Sequence, residues 1–332
     1  MVELVFASRD PGSANMLAAL FWMLGQNEDM VDIALERFVR AIDGYSLEEL
    51  RQSNKRVIAW GAAEQVWRRE GVEGFDIFSA GALEAHITRE QVSKIFDQHR
   101  KQILITGLDD VDAITVRLMW EEARARGIPI IILADNDKNI AARLRDSKTN
   151  IFLPDKLLAP SPACIEDIQR SGLDIGFAEL CTNLHLFRMK LSPASFVDCR
   201  NNWGAASDET VVLFVSLVGR EMVGLGRPVL FDEVVLLENV IASLEHGRLE
   251  EDLGPKVSKP RLIVRPHPRE DLAKFDWLNQ YQGSFPIVLS GAGSPTDAIM
   301  SADIIVGIQC AMLEEAQVRG QSVHFLSTNG IT

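Results

Sequence analysis

Short apolar runs alternate with longer segments of helical character along most of the chain. Each run stops at a glycine, a proline or a polar residue, which is typical of buried strands. The predicted strands are Val2 to Ala7, Val57 to Trp60, Gln102 to Gly107, Pro129 to Ala134, Lys156 to Ala159, Thr210 to Ser216, Arg261 to Val264, Ile287 to Leu289, Asp303 to Val306 and Val323 to Leu326. Helical segments separate these strands, among them a predicted helix from Asn15 to Leu24 and one near Arg269. We therefore predict right-handed βαβ units and parallel sheets.

A polar stretch divides this pattern into two halves. It runs from Pro193 to Glu209 and contains the consecutive asparagines Asn201 and Asn202, as expected of a domain boundary. We therefore predict an N-terminal domain over residues 1–195 and a C-terminal domain over residues 205–332. The predicted fold class is α/β, with two Rossmann-like domains whose parallel sheets face a cleft.

The composition narrows the class of protein. Of the 332 residues, 47% are hydrophobic, which is enough for one large core or two medium ones. The formal net charge of −13 argues against non-specific binding to nucleic acid or anionic lipid. No apolar run reaches the roughly 18 residues of a membrane span. The four cysteines form no CxxC pair, so we expect a cytoplasmic, reduced protein without a disulfide framework or zinc site.

Two strand ends carry residues that suit a phosphorylated ligand. The segment from Leu262 to Pro268 is a strand that stops at a histidine between two prolines, so Arg265 and His267 are predicted at its tip. A later strand leads through a polar turn at Gln309 into a helix. Ligands of open parallel sheets bind at the carboxyl ends of strands, where helix N-termini offer unpaired N–H groups. These donors predict a nucleotide-activated sugar as the ligand.

The same motifs resemble the donor domain of GT-B glycosyltransferase-like proteins of bacterial surface-polysaccharide synthesis. The shared features are the strand-end pair His267 and Pro268 and the segment from Ser301 to Ala316. The N-terminal half adds the segments from Ile105 to Asn136 and from Leu153 to Ser161. Sialyltransferase-like capsule enzymes, polyol-phosphate transferases and nucleotide-sugar 2-epimerases share this plan, and the resemblance covers about two-thirds of the chain.

The resemblance implies roles for individual residues. His267 falls on the histidine that contacts the donor phosphate, and Glu315 falls on the glutamate that holds ribose hydroxyls. Cys310 stands where the family usually has serine. Because a thiol is a weak donor, that contact is weakened, lost or replaced by the backbone N–H groups of Cys310 to Met312. The other residues of the predicted nucleotide-sugar site are Arg265, Pro268, Gln309 and Ala311.

Further candidates lie in loops after other strands. Ser216 and Gly219 occupy the first strand-to-helix turn of the second half, where a phosphate or the sugar approaches the backbone. Asp10 is predicted to be the general base for an acceptor hydroxyl, and an ordinary tight turn is the alternative explanation. The predicted acceptor contacts, with capping or turn formation as their alternative, are Ser13, Asn15 and Asp135.

The main candidates at these two strand ends also have structural alternatives. His267 could be a core histidine bonded to backbone, Arg265 could form a surface ion pair, and Glu315 could be a solvated glutamate favoured by the helix dipole. The carboxylates after the predicted strand from Gln102 to Gly107 fit no metal-ligand pattern, so no metal is predicted.

The sequence thus predicts a GT-B-like protein. The chain stops soon after Leu326, so we expect the usual C-terminal helices that cross back onto the first domain to be lacking. The expected function is a metal-independent glycosyltransferase without a cofactor, which uses a nucleotide-sugar donor and a glycan or small acceptor. A nucleotide-sugar hydrolase or 2-epimerase is one alternative, and a catalytically inactive nucleotide-binding or scaffold protein is another. A homo-oligomer is left open.

Overall fold

The computed structural model describes residues 1–72, 76–77, 88–96, 100–110, 113–136, 139–191, 196–224, 226, 229, 231–247, 249 and 257–327. The chain divides into two compact units, Met1–Arg188 and Met189–Thr332, here called unit 1 and unit 2. The predicted domain ends at residues 195 and 332 lie outside the described residues, so the predicted limits stay a prediction.

Unit 1 is built on a parallel sheet of seven strands. They are β1 Glu3–Ser8, β2 Asn54–Ala59, β3 Asp76–Ile77, β4 Gln102–Gly107, β5 Ile130–Leu133, β6 Lys156–Ala159 and β7 Ala178–Leu180. Their order in the sheet is β3-β2-β1-β4-β5-β6-β7. The chain extends from β1 to one side and restarts at β4 on the other, so the topological switch point lies between β1 and β4. Both of these strands are buried along their whole length.

The helices of unit 1 follow the strands in the order expected of βαβ units. They are α1 Pro11–Met23, α2 Asp29–Ala41, α3 Leu47–Arg51, α4 Ala63–Arg69, α5 Arg89–Ser93, α6 Ile114–Ala125, α7 Ile140–Arg143, α8 Pro162–Arg170 and α9 Leu184–Leu191, which contains the division between the units. Helix α1 begins four residues before the predicted start at Asn15. The reason is that Pro11, with its fixed φ, suits the first helical position.

Unit 2 is built on a parallel sheet of five strands. They are β8 Thr210–Val215, β9 Pro260–Arg265, β10 Ile287–Leu289, β11 Ile304–Gly307 and β12 Ser322–Phe325, in the order β10-β9-β8-β11-β12. The helices are α10 Gly219–Gly224, α11 Glu233–Glu245, α12 Pro295–Ser301 and α13 Ala311–Val318, with a 3-10 helix at Leu272–Gln280. Alternate residues of β8 enter hydrophobic clusters on the two faces of the sheet, Val212 and Phe214 on one and Val211 and Leu213 on the other.

The prediction of two α/β domains with parallel sheets is confirmed. The predicted bounds of β4, β6 and β10 agree with the structure. The helix predicted near Arg269 is instead a 3-10 helix from Leu272, because the Asp271 side chain accepts from the Ala273 N–H at 3.0 Å and fixes the start there. Among the described residues, no helix is long and apolar enough to cross a membrane.

Candidate functional site

The central strands of unit 2 bring the predicted nucleotide-sugar residues to one edge of the sheet. Arg265 at the end of β9 is in register with Val215 of β8, and Val215 is in register with Gly307 of β11. Neighbouring strands lie about 4.8 Å apart, so the three strand ends span about 10 Å. A Cβ added to Gly307 would lie 2.9 Å from the Val215 carbonyl oxygen, which shows how closely β8 and β11 approach here. This edge is the topological switch point of unit 2.

His267 lies just beyond β9 and has a defined protonation state. Its Nδ1 accepts a hydrogen bond from the Arg269 backbone N–H at 3.1 Å, so in the neutral ring the proton is on Nε2. Burial, and next the positive charge of Arg269, hold the pKa of His267 below its usual value. The imidazole is therefore neutral at physiological pH, with Nε2–H as its donor.

Arg265 stabilises the loop that follows β10. Its guanidinium donates to the carbonyl oxygens of Ala292 and Gly293, both at 2.9 Å. Burial lowers the pKa of this guanidinium, while the nearby Asp297 carboxylate opposes the change. Two of its N–H groups therefore hold the backbone before α12, so the alternative of a surface ion pair does not describe it.

The turn after β11 leads into the N-terminus of α13. Cys310 is the N-cap residue and makes no side-chain capping bond, and the exposed Gln309 side chain donates to Glu314 at 3.4 Å. Ala311 is the first residue of the helix. Since the first N–H groups of a helix have no intrahelical partner and carry partial positive charge, this N-terminus suits an anion.

Glu315, the predicted ribose partner, is buried within unit 2. Its Oε1 accepts from the Thr296 hydroxyl at 2.6 Å and from the Arg319 guanidinium at 3.0 Å. Only 7% of the residue is exposed, so it is not the solvated glutamate of the alternative explanation. Pro268, by contrast, is exposed next to His267.

Ser216 and Gly219 lie against a buried group of charges that the sequence analysis did not identify. The Ser216 hydroxyl donates to Glu270 Oε1 at 2.6 Å. A Cβ added to Gly219 would lie 2.3 Å from Glu233 Oε2, so no larger residue fits without displacement. The carboxylates of Glu221, Glu233 and Glu270 lie within 4.8 Å of one another, a spacing that could hold a metal ion. The Lys274 ammonium forms ion pairs with all three.

The switch point of unit 1 carries a second group of carboxylates. Asp109, after β4, is 1% exposed and accepts from the backbone N–H groups of Arg9 at 2.9 Å and Asp10 at 3.3 Å. Burial, and next the Asp10 charge, raise the pKa of Asp109 to about 7, although the Ser13 hydroxyl and the two N–H groups oppose this rise. Asp109 therefore exchanges its proton near neutral pH, a property that the sequence analysis did not foresee.

Asp10 and Asp135 lie beside Asp109 at this edge. The Asp10 carboxylate accepts from the Arg9 side chain at 3.0 Å and from the Asp110 N–H at 2.7 Å. Asp135 forms an ion pair with Arg143 at 2.8 Å, and burial raises the pKa of Asp135. Arg143 also donates to the Asp109 carbonyl oxygen at 3.2 Å. Asp10 and Asp135 were both predicted from the sequence, whereas Asp109 and Arg143 were not.

The other two predicted acceptor residues lie on α1. Ser13 is fully buried in the first turn, where a Cβ added to Gly107 would lie 2.0 Å from the Ser13 Cβ. Ser13 is therefore inside the helix and is not its N-cap, which is Asp10. The Asn15 side chain accepts from Arg69 at 3.0 Å. Contact of these residues with an acceptor stays a prediction.

Comparisons with known proteins identify the class of fold. Neither a protein-family model nor a curated protein matches the sequence. Among solved structures, a putative UDP-N-acetylglucosamine 2-epimerase from Listeria monocytogenes is similar with a TM-score of 0.58 and 13% identity, over 97% of this chain and 78% of that one. The UDP-GlcNAc 2-epimerase from Neisseria meningitidis bound to UDP-GlcNAc gives 0.57 and 11%, over 98% and 82%.

A third solved structure has the same similarity. The UDP-GlcNAc 2-epimerase from Methanocaldococcus jannaschii in complex with UDP-GlcNAc and UDP gives a TM-score of 0.56 and 11% identity, over 97% of this chain and 83% of that one. The chain therefore has the GT-B-like fold of UDP-GlcNAc 2-epimerases, with two Rossmann-type α/β units. At such low identity the similarity establishes the fold alone.

Proposed function

We propose that the protein is a nucleotide-sugar enzyme of the 2-epimerase or hydrolase type, and that unit 2 binds the nucleoside diphosphate. The observation that carries this proposal is the neutral His267 with its Nε2–H donor, on an edge shared with the N-terminus of α13. Neutral and helix-dipole donors bind a diphosphate without any metal ion. Solved structures of the same fold hold UDP and UDP-GlcNAc, which supports a uridine nucleotide as the first candidate.

The remaining predicted residues of unit 2 have proposed roles around this nucleotide. The backbone N–H groups at Cys310 and Ala311 bind phosphate oxygens, and Glu315 accepts from ribose hydroxyls. Ser216 and Gly219 line the phosphate side. Arg265 holds the loop after β10 in place, while Pro268 and Gln309 flank the site.

The proposed chemistry is proton transfer coupled to loss of the nucleoside diphosphate. A base removes the proton from sugar carbon C2, the C–H electrons form a C1=C2 double bond, and the diphosphate leaves with the electrons of the C1–O bond. Donors on the leaving phosphate stabilise the developing negative charge. Readdition of the diphosphate at C1 and of a proton at the other face of C2 gives the 2-epimer. Addition of water instead gives the free sugar and completes hydrolysis.

We assign the proton transfer to the acidic edge of unit 1, with Asp109 as the candidate acid or base. A group whose pKa is about 7 is both a competent acceptor and a competent donor near neutral pH. Asp10, the base expected from the sequence, already has protein partners, since its carboxylate pairs with the Arg9 side chain and accepts from the Asp110 N–H.

Two observations favour this reaction over glycosyl transfer. The fold is that of 2-epimerases, and Asp109 supplies a proton-transfer group that a reaction at C2 requires. Glycosyl transfer stays a prediction, and measuring UDP release with and without an acceptor distinguishes the two reactions. A transferase releases UDP only when an acceptor is present, whereas an epimerase or hydrolase acts on the nucleotide sugar alone.

The nucleotide site is tested by calorimetric titration of wild type and His267→Ala with UDP. Loss of a hydrogen bond to a charged phosphate costs about 1.5–3 kcal/mol, so we expect the Kd to rise roughly 10- to 100-fold. The matched control is His246→Ala, which removes an exposed histidine at the C-terminus of α11. Equal affinity of wild type and His267→Ala would remove His267 from the phosphate site, and no binding of UDP to wild type would refute a uridine nucleotide as the ligand.

A further inference from the structure

Lys274 connects three separate segments of unit 2. It lies in the 3-10 helix, and only 7% of its side chain is exposed. Its ammonium is 3.0 Å from the carboxylate of Glu221 on α10 and 2.7 Å from that of Glu270, and it also pairs with Glu233 at the start of α11. A single cation therefore neutralises part of three carboxylates that lie on different segments of the chain.

Glu270 extends this group to the two strand ends of the proposed nucleotide site. Its Oε1 accepts from the Ser216 hydroxyl after β8 and from the Lys274 ammonium. Its Oε2 accepts from the backbone N–H of His267 after β9. Because one carboxylate bonds to both strand ends, its orientation and charge contribute to the positions of His267 and Ser216, in addition to the backbone bond from the Ser216 N–H to the Arg265 carbonyl oxygen at 3.0 Å.

The charge balance shows why Glu270 needs a cation. Burial raises the pKa of Glu270, and the hydrogen bond from Lys274 opposes that rise. Burial lowers the pKa of Lys274, but its bonds to the carboxylates, first to Glu233, outweigh burial and raise it overall. Without Lys274, the pKa of Glu270 would rise further, and protonation of this carboxylate would become more favourable. A protonated carboxyl has an O–H donor in place of one acceptor, so it cannot keep all its present bonds.

We propose that Lys274 is a positioning residue that, through Glu270, fixes His267 and Ser216 for the phosphates of a bound nucleotide. The reference to phosphates rests on the proposed function, but the placement of the imidazole does not. Lys274 touches no substrate in this account. Its effect on the position of His267 and Ser216 reaches the site through the bonds of Glu270. In addition to burial and the Arg269 charge, its positive charge also lowers the pKa of the His267 imidazole.

The placement is tested by NMR of protein labelled with 15N in the histidine ring, without any ligand. His267→Ala identifies the His267 signal among the six histidines of the chain. We expect wild type to show the neutral Nε2–H form, and Lys274→Met to shift that signal and raise the pKa of the imidazole. If Lys274→Met does not fold, Glu270→Gln replaces it, since an amide oxygen and nitrogen cannot accept from His267 and Ser216 together. An unchanged His267 signal in a folded variant overturns the proposal.

Binding of UDP gives the second readout. We expect Lys274→Met or Glu270→Gln to raise the Kd about tenfold or more, which corresponds to one charge-assisted hydrogen bond. The matched control is Lys259→Met, which breaks an ion pair with Asp208 between two mostly exposed side chains of the same unit. Failure of wild type to bind UDP would refute the nucleotide part of the proposed function, while the NMR result would still decide the role of Lys274.

Discussion

The buried carboxyl of Asp109 offers a direct test of the electrostatics at the edge of unit 1. The variant Asp109→Asn keeps the shape of the side chain and removes its ionisation. The pKa is 3.8 for an ordinary aspartate and about 7 in the folded protein. Because the folded-state pKa is raised, the protonated form is the one that folding favours. The contribution of Asp109 to stability is therefore complete below about pH 4 and is lost as the pH rises through about 7.

The size of the effect follows from proton linkage. Between about pH 5 and pH 8 the folded state releases nearly the whole proton of Asp109, while the unfolded state has already lost it. Integration over this range gives a loss of about 2.5 kcal/mol from this one group. Asp109→Asn has no ionisable group at this position and escapes this loss. Its free energy of unfolding relative to wild type should therefore increase by about 2.5 kcal/mol on going from the lower to the higher pH.

The assay is urea unfolding of both proteins at the two pH values, followed by tryptophan fluorescence. An offset from replacing a carboxyl by an amide is present at both values and cancels in the comparison. Asp43→Asn makes the same chemical change at an exposed position of unit 1 and should follow wild type. If the difference in free energy of unfolding between Asp109→Asn and wild type is the same at both pH values within about 0.5 kcal/mol, the pKa of Asp109 is ordinary and its proposed role in proton transfer is refuted.

Two further predictions concern packing and capping. Gly107→Ala places a Cβ 2.0 Å from the Ser13 Cβ, so we expect the free energy of unfolding in urea to fall by roughly 1–3 kcal/mol. The control is Gly224→Ala, where no described atom lies within 4 Å of the added Cβ. Equal losses in the two variants would contradict the packing argument. Ser294→Ala removes the capping box with Asp297 at the start of α12 and should cost about 1 kcal/mol of stability, seen as a lower Tm. Ser294→Thr keeps the side-chain oxygen and should retain most of the stabilisation from the cap. A Tm equal to wild type for Ser294→Ala would contradict the capping role.

The sequence predicted the parallel sheets because buried strands are continuous apolar runs. It was least informative where the structure depends on contacts between distant residues. The edge strand β7 is largely half-buried and has no apolar run, and α1 was predicted to begin at Asn15 because Pro11 and Gly12 were interpreted as a turn. A proline in that position fits either a turn or the first turn of a helix.

The candidate sites likewise divide into residues with a local sequence signal and residues that depend on contacts between distant parts of the chain. His267 was predicted because two prolines bracket it at the end of an apolar strand, a local signal. Lys274 and Glu270 were not predicted, since Glu221 and Glu233, the partners of Lys274, and Ser216, a partner of Glu270, are far away in the sequence and only the fold brings them together. The raised pKa of Asp109 likewise depends on burial, although a carboxylate directly after a buried central strand was a signal that could have identified it.

The proposed activity is proton transfer at C2 of a nucleotide sugar, without an acceptor. The most direct measurement is proton NMR of wild type in D2O with a panel of UDP-, GDP-, CDP- and CMP-sugars and no acceptor, beginning with UDP-GlcNAc. The account predicts that the C2 proton of at least one nucleotide sugar exchanges for deuterium, with formation of the 2-epimer or of free sugar and nucleotide, and that Asp109→Asn slows this by about 100-fold or more. Retention of the C2 proton and the C1–O bond in every member of the panel would contradict it, and release of nucleotide only after an acceptor is added would establish glycosyl transfer instead.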